Sequence, residues 1–321
     1  MPRLIFAGTP PFAAAHLQGL LDLGLRPVAV YTQPDRPAGR GKHLTPSAVK
    51  TLAAAQELEV RTPLDFKDPK EVAALAELQA DLMVVVAYGL ILPEAVLQAP
   101  RLGAINVHAS LLPLYRGAAP IQRALLEGQP HTGVSIMQLE SRLDAGPVFA
   151  RRSLPISSED TSQSLFDKLQ NLGVQLLKET LEPILSGELK ARAQDESAAT
   201  YAAKFDKTLA PLDFTHDSRS LDLQIRATIP WPVATATLEG ITYKIFKARP
   251  LGEDELVQRE HSYAAAAPGT ILGVQDEGLW VRCGQGALAL EILQAPGKKP
   301  LNAAVAARTQ AQRFAQGKRF D

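Results

Sequence analysis

The chain has 321 residues, of which 46% are hydrophobic and 21% charged, with 34 basic against 34 acidic side chains. This length suggests roughly two domains, and the balanced charge excludes a bulk polycation while still allowing local basic patches. The single cysteine, Cys283, excludes an internal disulfide and a cysteine-rich metal cluster, which fits a reducing cytoplasm.

The first 33 residues predict a strand, a helix and a second strand. An apolar run at 4–8 ends in a turn, helical spacing follows over 11–24, and 27–33 is again apolar. Because a threonine and two prolines at 9–11 interrupt the opening run, we interpret it as a strand and not as a targeting signal.

The alternation of helices and strands continues, with helices predicted at 46–58 and 68–79 and strands at 81–87 and 103–108. This order favours a doubly wound, mostly parallel α/β sheet. The longest apolar run, 82–92, is shorter than the roughly 20 residues that cross a bilayer, so we expect no membrane embedding.

A hairpin and a long helix are predicted to complete the first domain. Alternating runs at 132–139 and 147–156 flank a glycine-containing loop, and helical spacing extends over 161–186. We therefore expect a catalytic domain over 1–187, followed by a polar linker at 188–208 that has no core pattern.

The remaining residues, 209–321, contain closely spaced short strands separated by glycine turns. This pattern predicts a small antiparallel barrel or sandwich as a second domain.

The first strand does not lead into a common phosphate-binding loop. Its turn reads GTPPFA at 8–13, which matches neither the dinucleotide nor the triphosphate glycine pattern. The two prolines remove backbone donors that such a loop needs, which disfavours a nicotinamide dehydrogenase or a nucleoside triphosphatase.

Two polar residues stand out at the end of the strand 103–108. Asn106 and His108 are two residues apart, so they share one face of the strand at the end where open α/β sheets bind ligands. An amide can donate to an oxyanion and a histidine can carry a proton, and Asp144, in a turn, is a candidate to orient the histidine. From the residues alone, a hydrogen-bonded core histidine and a turn-forming aspartate remain the favoured alternatives.

Several motifs in order resemble the folate-dependent formyltransferases. These are AGTPPFAAAHL at 7–17, QPDRPAGRGK at 33–42, VVVAYGLILP at 84–93, NVHASLLPLYRGAAPIQ at 106–122 and SRLDAGP at 141–147. The resemblance covers essentially the whole chain. Within the family, the motifs are most similar to those of the members that formylate the methionyl group on initiator tRNA. It implies an OB-like C-terminal barrel, 10-formyltetrahydrofolate as formyl donor, no metal, and translation initiation as the process served.

The resemblance also implies roles for individual residues. Asn106, His108 and Asp144 become the catalytic residues, and the folate-contacting loop comprises Ser110, Leu111, Leu112 and Pro113. The chain departs from the family at Pro11, where an acidic residue is common. It also departs at Leu114 and Tyr115, where other members can carry a basic residue and an aromatic one. Leu114 puts in doubt an RNA contact from that side chain.

Two basic segments are candidate RNA contacts. The loop 33–46, long for a connection between a strand and a helix, carries Arg36, Arg40 and Lys42, and in the resembled family it reaches the acceptor end of the tRNA. The segment 297–320 has no acidic residue and includes Lys298 and Lys299. The alternative for the loop is a solvated connector without function, and the alternative for the C-terminal segment is a set of ordinary surface lysines.

We therefore predict a cytoplasmic, monomeric enzyme that binds initiator methionyl-tRNA and folate. The alternatives are a folate-dependent enzyme that formylates a small amine or hydrolyses the formyl group, and a tRNA-binding protein built on an inactive transferase domain. The basic segments favour RNA over a small amine, and the intact Asn106, His108 and Asp144 argue against an inactive domain.

Overall fold

The computed structural model describes residues 1–38, 43–257, 265–275 and 278–321. The chain divides into two compact units, and each is described by itself. The first unit comprises Met1–Pro120, His131–Pro155 and Phe166–Ala203, and the second comprises Ile121–Pro130, Ile156–Leu165 and Lys204–Asp321.

The first unit is built on a seven-stranded sheet with the order β10-β9-β7-β6-β1-β2-β5. Its strands are β1 (Leu4–Gly8), β2 (Ala29–Tyr31), β3 (Arg36–Ala38), β4 (His43–Thr45), β5 (Val60–Arg61), β6 (Leu82–Val86), β7 (Ala104–His108), β8 (Arg116–Gly117), β9 (His131–Gln138), β10 (Val148–Pro155) and β11 (Tyr201–Ala202). Within the sheet, β5, β2, β1, β6 and β7 are parallel to one another. Strand β9 pairs antiparallel with β7, and β10 pairs antiparallel with β9 at the edge. The prediction of a doubly wound, mostly parallel sheet is confirmed.

Helices connect these strands. They are α1 (Pro11–Asp22), α2 (Ala48–Ala55), α3 (Pro69–Ala76), α4 (Glu94–Leu97), α5 (Pro120–Leu126) and α6 (Ser162–Leu185). All of α5 after Pro120 and the first four residues of α6 belong to the second unit. The central strands β1 and β6 are buried at every position, as expected for parallel strands that are covered on both faces. Their continuous apolar sequences are therefore a consequence of two-sided burial.

The carboxyl ends of β1 and β6 lie at the point where the strand order reverses direction. Strand β1 pairs with β2 on one side and with β6 on the other. The loops that follow β1, β2 and β6 are joined, because Thr9 Oγ1 after β1 and Gln33 Nε2 after β2 both donate to the Tyr88 carbonyl after β6, at 2.8 and 3.0 Å. Ligands of open α/β sheets bind at such a reversal, and His108 is the last residue of β7, beside β6.

Two short strand pairs lie outside the main sheet. Strand β3 pairs with β4 antiparallel, and β8 pairs with β11 in parallel. The second pair involves the segment 188–208, which the sequence predicts to be a linker. Residues up to Ala203 belong to the first unit, where the Arg192 backbone bonds to Val148 in both directions. The part of this segment up to Ala203 is therefore joined to the first unit through its backbone.

The second unit contains an antiparallel sheet with the order β12-β13-β16-β15-β14, and β17 pairs with β16. Its elements are β12 (Ala234–Leu238), β13 (Ile241–Leu251), β14 (Ile271–Gln275), β15 (Gly278–Arg282), β16 (Ala287–Gln294), β17 (Leu301–Asn302), α7 (Ser218–Ala227), α8 (Glu253–Val257) and α9 (Ala303–Thr309). The predicted separate antiparallel domain is confirmed.

The last residues of the chain connect the two edges of this second sheet. Phe320 is bridged to Leu238 at the end of β12, and Arg319 is bridged to Thr270 just before β14. The Phe320 side chain is 1% exposed and contributes to the core of the unit. The sheet is thereby closed into a small barrel by the C-terminal residues. In the described part of the chain, no helix is both long and apolar enough to cross a bilayer.

Candidate active site

The polar pair on β7 lies between two neighbouring strands. Asn106 is opposite Val85 of β6 and Met137 of β9, and His108 is opposite Ser135 of β9. His108 is 6% exposed, whereas Asn106 is half-buried. Since the two residues are two positions apart on one strand, their side chains project from the same face of the sheet.

Asp144 lies close to His108 although 36 positions separate them in the sequence. It belongs to the turn between β9 and β10, and its φ of 47° is in the left-handed region. Its Oδ2 lies 3.8 Å from Nδ1 of His108 and accepts a 2.7 Å hydrogen bond from the Gly117 backbone N–H. The carboxylate is thus close enough to stabilise an imidazolium without bonding directly to the ring.

The backbone around His108 determines which nitrogen of its ring carries the proton. Nε2 lies 3.0 Å from the Tyr115 carbonyl oxygen, and a carbonyl oxygen can only accept a hydrogen bond. In the neutral ring, Nε2 must therefore donate, and the unprotonated nitrogen is Nδ1. The proton-accepting nitrogen is consequently the one that faces Asp144.

The Asn106 side chain is available to a ligand. Within the residues that the structure describes, its amide has no hydrogen-bond partner, although the side chain is half-buried. An amide in this position can donate to an oxygen of a bound molecule without first breaking a bond to the protein.

The predicted folate loop, Ser110 to Pro113, is packed closely against β9. Ser110 Oγ donates to the Leu114 carbonyl at 2.6 Å. Ser135 Oγ donates to the Ser110 carbonyl at 2.7 Å and accepts from the Leu112 N–H at 3.1 Å. The side chains of Ser110 and Leu112 are buried, whereas Leu111 and Pro113 are partly exposed. The loop therefore exposes its backbone together with parts of Leu111 and Pro113.

A buried arginine beside the site is a feature that the sequence reasoning missed. Arg116 is 1% exposed and donates to both carboxylate oxygens of Glu196, at 3.1 and 2.9 Å, and to the side-chain oxygen of Gln194. The Glu196 carboxylate raises the pKa of Arg116, and the guanidinium in turn lowers the pKa of Glu196. The sequence signal was a charged residue three positions after Pro113 of the SLLP loop, whereas Gln194 had no signal.

Comparison with known sequences assigns the chain to a family. The sequence model described as formyl transferase matches residues 2–181, and the model described as formyl transferase, C-terminal domain, matches residues 204–311. The chain belongs to the formyl transferase family.

Relatives in this family are similar over nearly their full length. The methionyl-tRNA formyltransferase of Stutzerimonas stutzeri is 51% identical over 315 residues, which cover 98% of this chain and 97% of the relative. The methionyl-tRNA formyltransferase of Pseudomonas syringae is 48% identical with the same coverage.

Solved structures share the fold at lower identity. An N-formyltransferase from Helicobacter canadensis, in complex with folinic acid and dTDP-3-aminofucose, superposes with a TM-score of 0.67 at 18% identity, over 90% of this chain and 99% of that one. HypX from Aquifex aeolicus in complex with tetrahydrofolic acid superposes with a TM-score of 0.60 at 19% identity. That alignment covers 99% of this chain, which spans about half of HypX, 48% of its length.

The candidate RNA-binding residues of this formyl transferase are distributed over both units. Arg36 is exposed at the start of β3, and the base of its loop is stabilised by an ion pair of 2.8 Å between Asp35 and Lys50. Arg40 and Lys42 lie outside the described residues. In the second unit, Lys298 and Lys299 are exposed in the turn between β16 and β17.

No metal site accompanies the catalytic candidates in the described ranges. Among residues 1–38, 43–257, 265–275 and 278–321, no group of three or more His, Cys, Asp or Glu side chains is arranged to hold an ion.

Proposed function

We propose that this formyl transferase transfers the formyl group of 10-formyltetrahydrofolate to the α-amino group of initiator methionyl-tRNA, giving N-formylmethionyl-tRNA for translation initiation. The relatives named methionyl-tRNA formyltransferase, about half identical over both units, support this acceptor. The HypX complex with tetrahydrofolic acid supports a folate-derived donor. The observation that carries the chemistry is the Nδ1 of His108, unprotonated in the neutral ring, facing the Asp144 carboxylate near the Asn106 amide.

The reaction begins when the lone pair of the α-amine attacks the formyl carbon. The carbonyl bond opens, and the resulting oxyanion accepts a hydrogen bond from the Asn106 amide, a contact typically worth about 3 kcal/mol. His108 Nδ1 accepts the proton that the attacking nitrogen loses, and the Asp144 carboxylate stabilises the imidazolium. When the tetrahedral intermediate collapses, the bond from carbon to N10 breaks and the imidazolium returns the proton to N10.

The donor binds against the loop formed by Ser110, Leu111, Leu112 and Pro113. Two of these side chains are buried, so the folate contacts the loop through backbone groups and through Leu111 and Pro113. The two hydrogen bonds of Ser135 to this loop support its role as a rigid surface. A rigid loop keeps the formyl carbon at a constant position relative to Asn106.

The acceptor binds through positive charge on both units. Arg36, Arg40 and Lys42 contact the acceptor end of the tRNA, and Lys298 and Lys299 contact its phosphates. Exposed cations of this kind position an RNA backbone and supply affinity that depends on salt. We further expect the enzyme to act as a monomer in the cytoplasm.

The deciding experiment compares acceptors. Purified protein is supplied with 10-formyltetrahydrofolate labelled in the formyl group, and transfer is measured to initiator methionyl-tRNA, elongator methionyl-tRNA, free methionine and a dTDP-linked amino sugar. We expect rapid transfer to initiator methionyl-tRNA alone. Equal transfer to free methionine would contradict the RNA acceptor, and transfer to the amino sugar alone would make the protein a sugar formyltransferase.

A further inference from the structure

The turn that carries Asp144 is bonded to a side chain from a distant part of the chain. We define the Asp144 turn as residues 142–146. The side-chain NH₂ of Gln194 donates to the Asp144 carbonyl at 2.8 Å and to the Gly146 carbonyl at 2.7 Å. A single amide thus bonds to backbone carbonyls at two positions of this turn.

The orientation of the Gln194 amide is determined by Arg116. Two guanidinium nitrogens of Arg116, Nε and Nη2, donate to the amide oxygen at 3.2 and 2.9 Å. An arginine only donates, so the oxygen must face Arg116 and the NH₂ must face the turn. Glu196 bonds to the other side of the same guanidinium, which keeps it ionised and in one position.

The backbone on either side of Arg116 contacts both catalytic candidates. The Tyr115 carbonyl accepts from His108 Nε2, and the Gly117 N–H donates to the Asp144 carboxylate. This segment is itself held by residues that follow Glu196: Thr200 Oγ1 accepts from the Tyr115 N–H at 2.8 Å, and β11 pairs with β8. Residues 194–202 therefore bond to the two segments that carry or contact His108 and Asp144.

Asp144 needs such support because of its backbone conformation. A left-handed φ is unfavourable for a residue with a side chain and persists only where surrounding contacts stabilise it. At Gly146, a Cβ atom would lie 1.9 Å from the Gln138 carbonyl oxygen, so the turn already packs against β9 on that side. Gln194 bonds to the same turn through two of its carbonyls.

We propose that Gln194, oriented by Arg116 and Glu196, is a positioning residue that sets the distance between the Asp144 carboxylate and the His108 ring during formyl transfer. This inference rests on the proposed function. The hydrogen bonds of the Gln194 side chain go to Arg116 and to backbone carbonyls of the turn, so Gln194 acts through the backbone. Its loss therefore lowers the rate of the chemical step and leaves substrate binding unchanged.

The test uses the substitution Gln194→Glu in the full-length enzyme. A carboxylate at this position still accepts from Arg116, but it has no N–H for the turn and repels both carbonyl oxygens. We expect kcat to fall at least about tenfold with both KM values within about twofold of wild type, because a displacement of about 1 Å can cost about a hundredfold in rate. Gln175→Glu is the matched control, since it makes the same change at an exposed position of α6 in the same unit.

The outcomes separate this inference from the proposed function. If wild-type enzyme fails to formylate methionyl-tRNA, the proposed function is wrong. Suppose instead that wild type is active and Gln194→Glu folds. The positioning role is then wrong if the variant keeps the wild-type kcat, or if its kcat falls and its KM values also change by more than about twofold. If Gln194→Glu does not fold, Glu196→Gln is the deciding variant, because the Glu196 carboxylate is half-exposed and its replacement is tolerated more easily. For Glu196→Gln we expect kcat to fall about two- to fivefold with KM unchanged. An unchanged kcat there overturns the inference.

Discussion

Nδ1 of His108 lies 3.8 Å from Oδ2 of Asp144, while the opposite nitrogen of the same ring bonds to the Tyr115 carbonyl. The separation is too long for a direct hydrogen bond and short enough for a strong charge interaction once the ring is protonated. This arrangement suits a base that must accept a proton and then release it.

Replacing Asn106 with alanine tests the oxyanion donor. We expect Asn106→Ala to lower kcat at least about a hundredfold, because one fixed donor contributes about 3 kcal/mol to the transition state. Stability should change little, since the half-buried amide has no partner within the described residues and its removal leaves no group unpaired. Steady-state kinetics and thermal unfolding measure the two effects. Gln98→Ala, which removes an exposed amide at the residue that follows α4, serves as control.

Lys298 and Lys299, in the turn between β16 and β17, should determine part of the salt dependence of RNA binding. We expect replacement of both Lys298 and Lys299 by alanine to reduce the slope of log K against log salt by up to about 1.8, because each neutralised phosphate contributes about 0.7 to 0.9. KM for the folate should not change. Filter binding of methionyl-tRNA between low and moderate salt measures the slope.

The charge-matched control for that experiment is the double replacement of Lys67 and Lys70 by alanine, since both lysines are exposed on the first unit. An equal loss of slope in the control would show that the effect comes from net charge and not from a phosphate contact. A wild-type slope near zero would argue against RNA binding altogether.

His16 should make the first unit sensitive to acid. It is fully buried in α1, donates from Nδ1 to the Phe12 carbonyl at 2.7 Å, and has no partner for Nε2 among the described residues. Burial lowers the pKa of His16 to about 4, against 6.5 for an exposed histidine. The unfolded chain therefore takes up a proton first as the pH falls, so stability is lost between pH 6.5 and 4.

Linkage converts this difference to a loss of about 3 kcal/mol that is complete near pH 4. We expect His16→Leu to lose correspondingly less stability over the same range, as measured by urea unfolding of the first unit at a series of pH values. His43→Leu, an exposed histidine in β4, is the control and should keep the wild-type pH dependence. Identical pH profiles for wild type and His16→Leu would refute the assignment.

The closure of the second unit by the chain terminus can be tested at Phe320. We expect Phe320→Ala to lower the free energy of unfolding of this unit by about 3 kcal/mol, the cost of a large buried side chain. Both tryptophans of the chain, Trp231 and Trp280, lie in this unit, so their fluorescence reports its unfolding. Val305→Ala, on an exposed face of α9, should cost less than about 0.5 kcal/mol. Equal effects of the two substitutions would show that the terminus does not stabilise the sheet.

The long elements could be predicted from the sequence because each one has a pattern that repeats over several residues. The apolar runs of β1, β6 and β7 and the helical spacing in α1 and α6 required no knowledge of the fold. The pairs β3 with β4 and β8 with β11 were not predicted, because strands of two or three residues are too short to show periodicity.

The candidate site could be predicted only in part. The strand periodicity placed Asn106 and His108 on one face at the end of a parallel strand. Asp144 was a candidate from its place in a turn, and the family resemblance implied its catalytic role. No local pattern distinguished Gln194 from the other polar residues of 188–208, because its role depends on partners 48 to 78 positions away. The predicted roles of all these residues stay predictions until the variants are measured.

Local chemistry in the sequence determined the α/β order, the separate antiparallel domain and the residue types able to transfer a formyl group. Only the tertiary structure decided the 3.8 Å distance between His108 and Asp144, the nitrogen that carries the ring proton, and the bonding of Gln194 to the Asp144 turn. Periodicity records which face of an element is buried. Distances between side chains from separate elements depend on how loops return to the sheet, and hydrogen bonds between distant residues leave no repeating pattern in the chain.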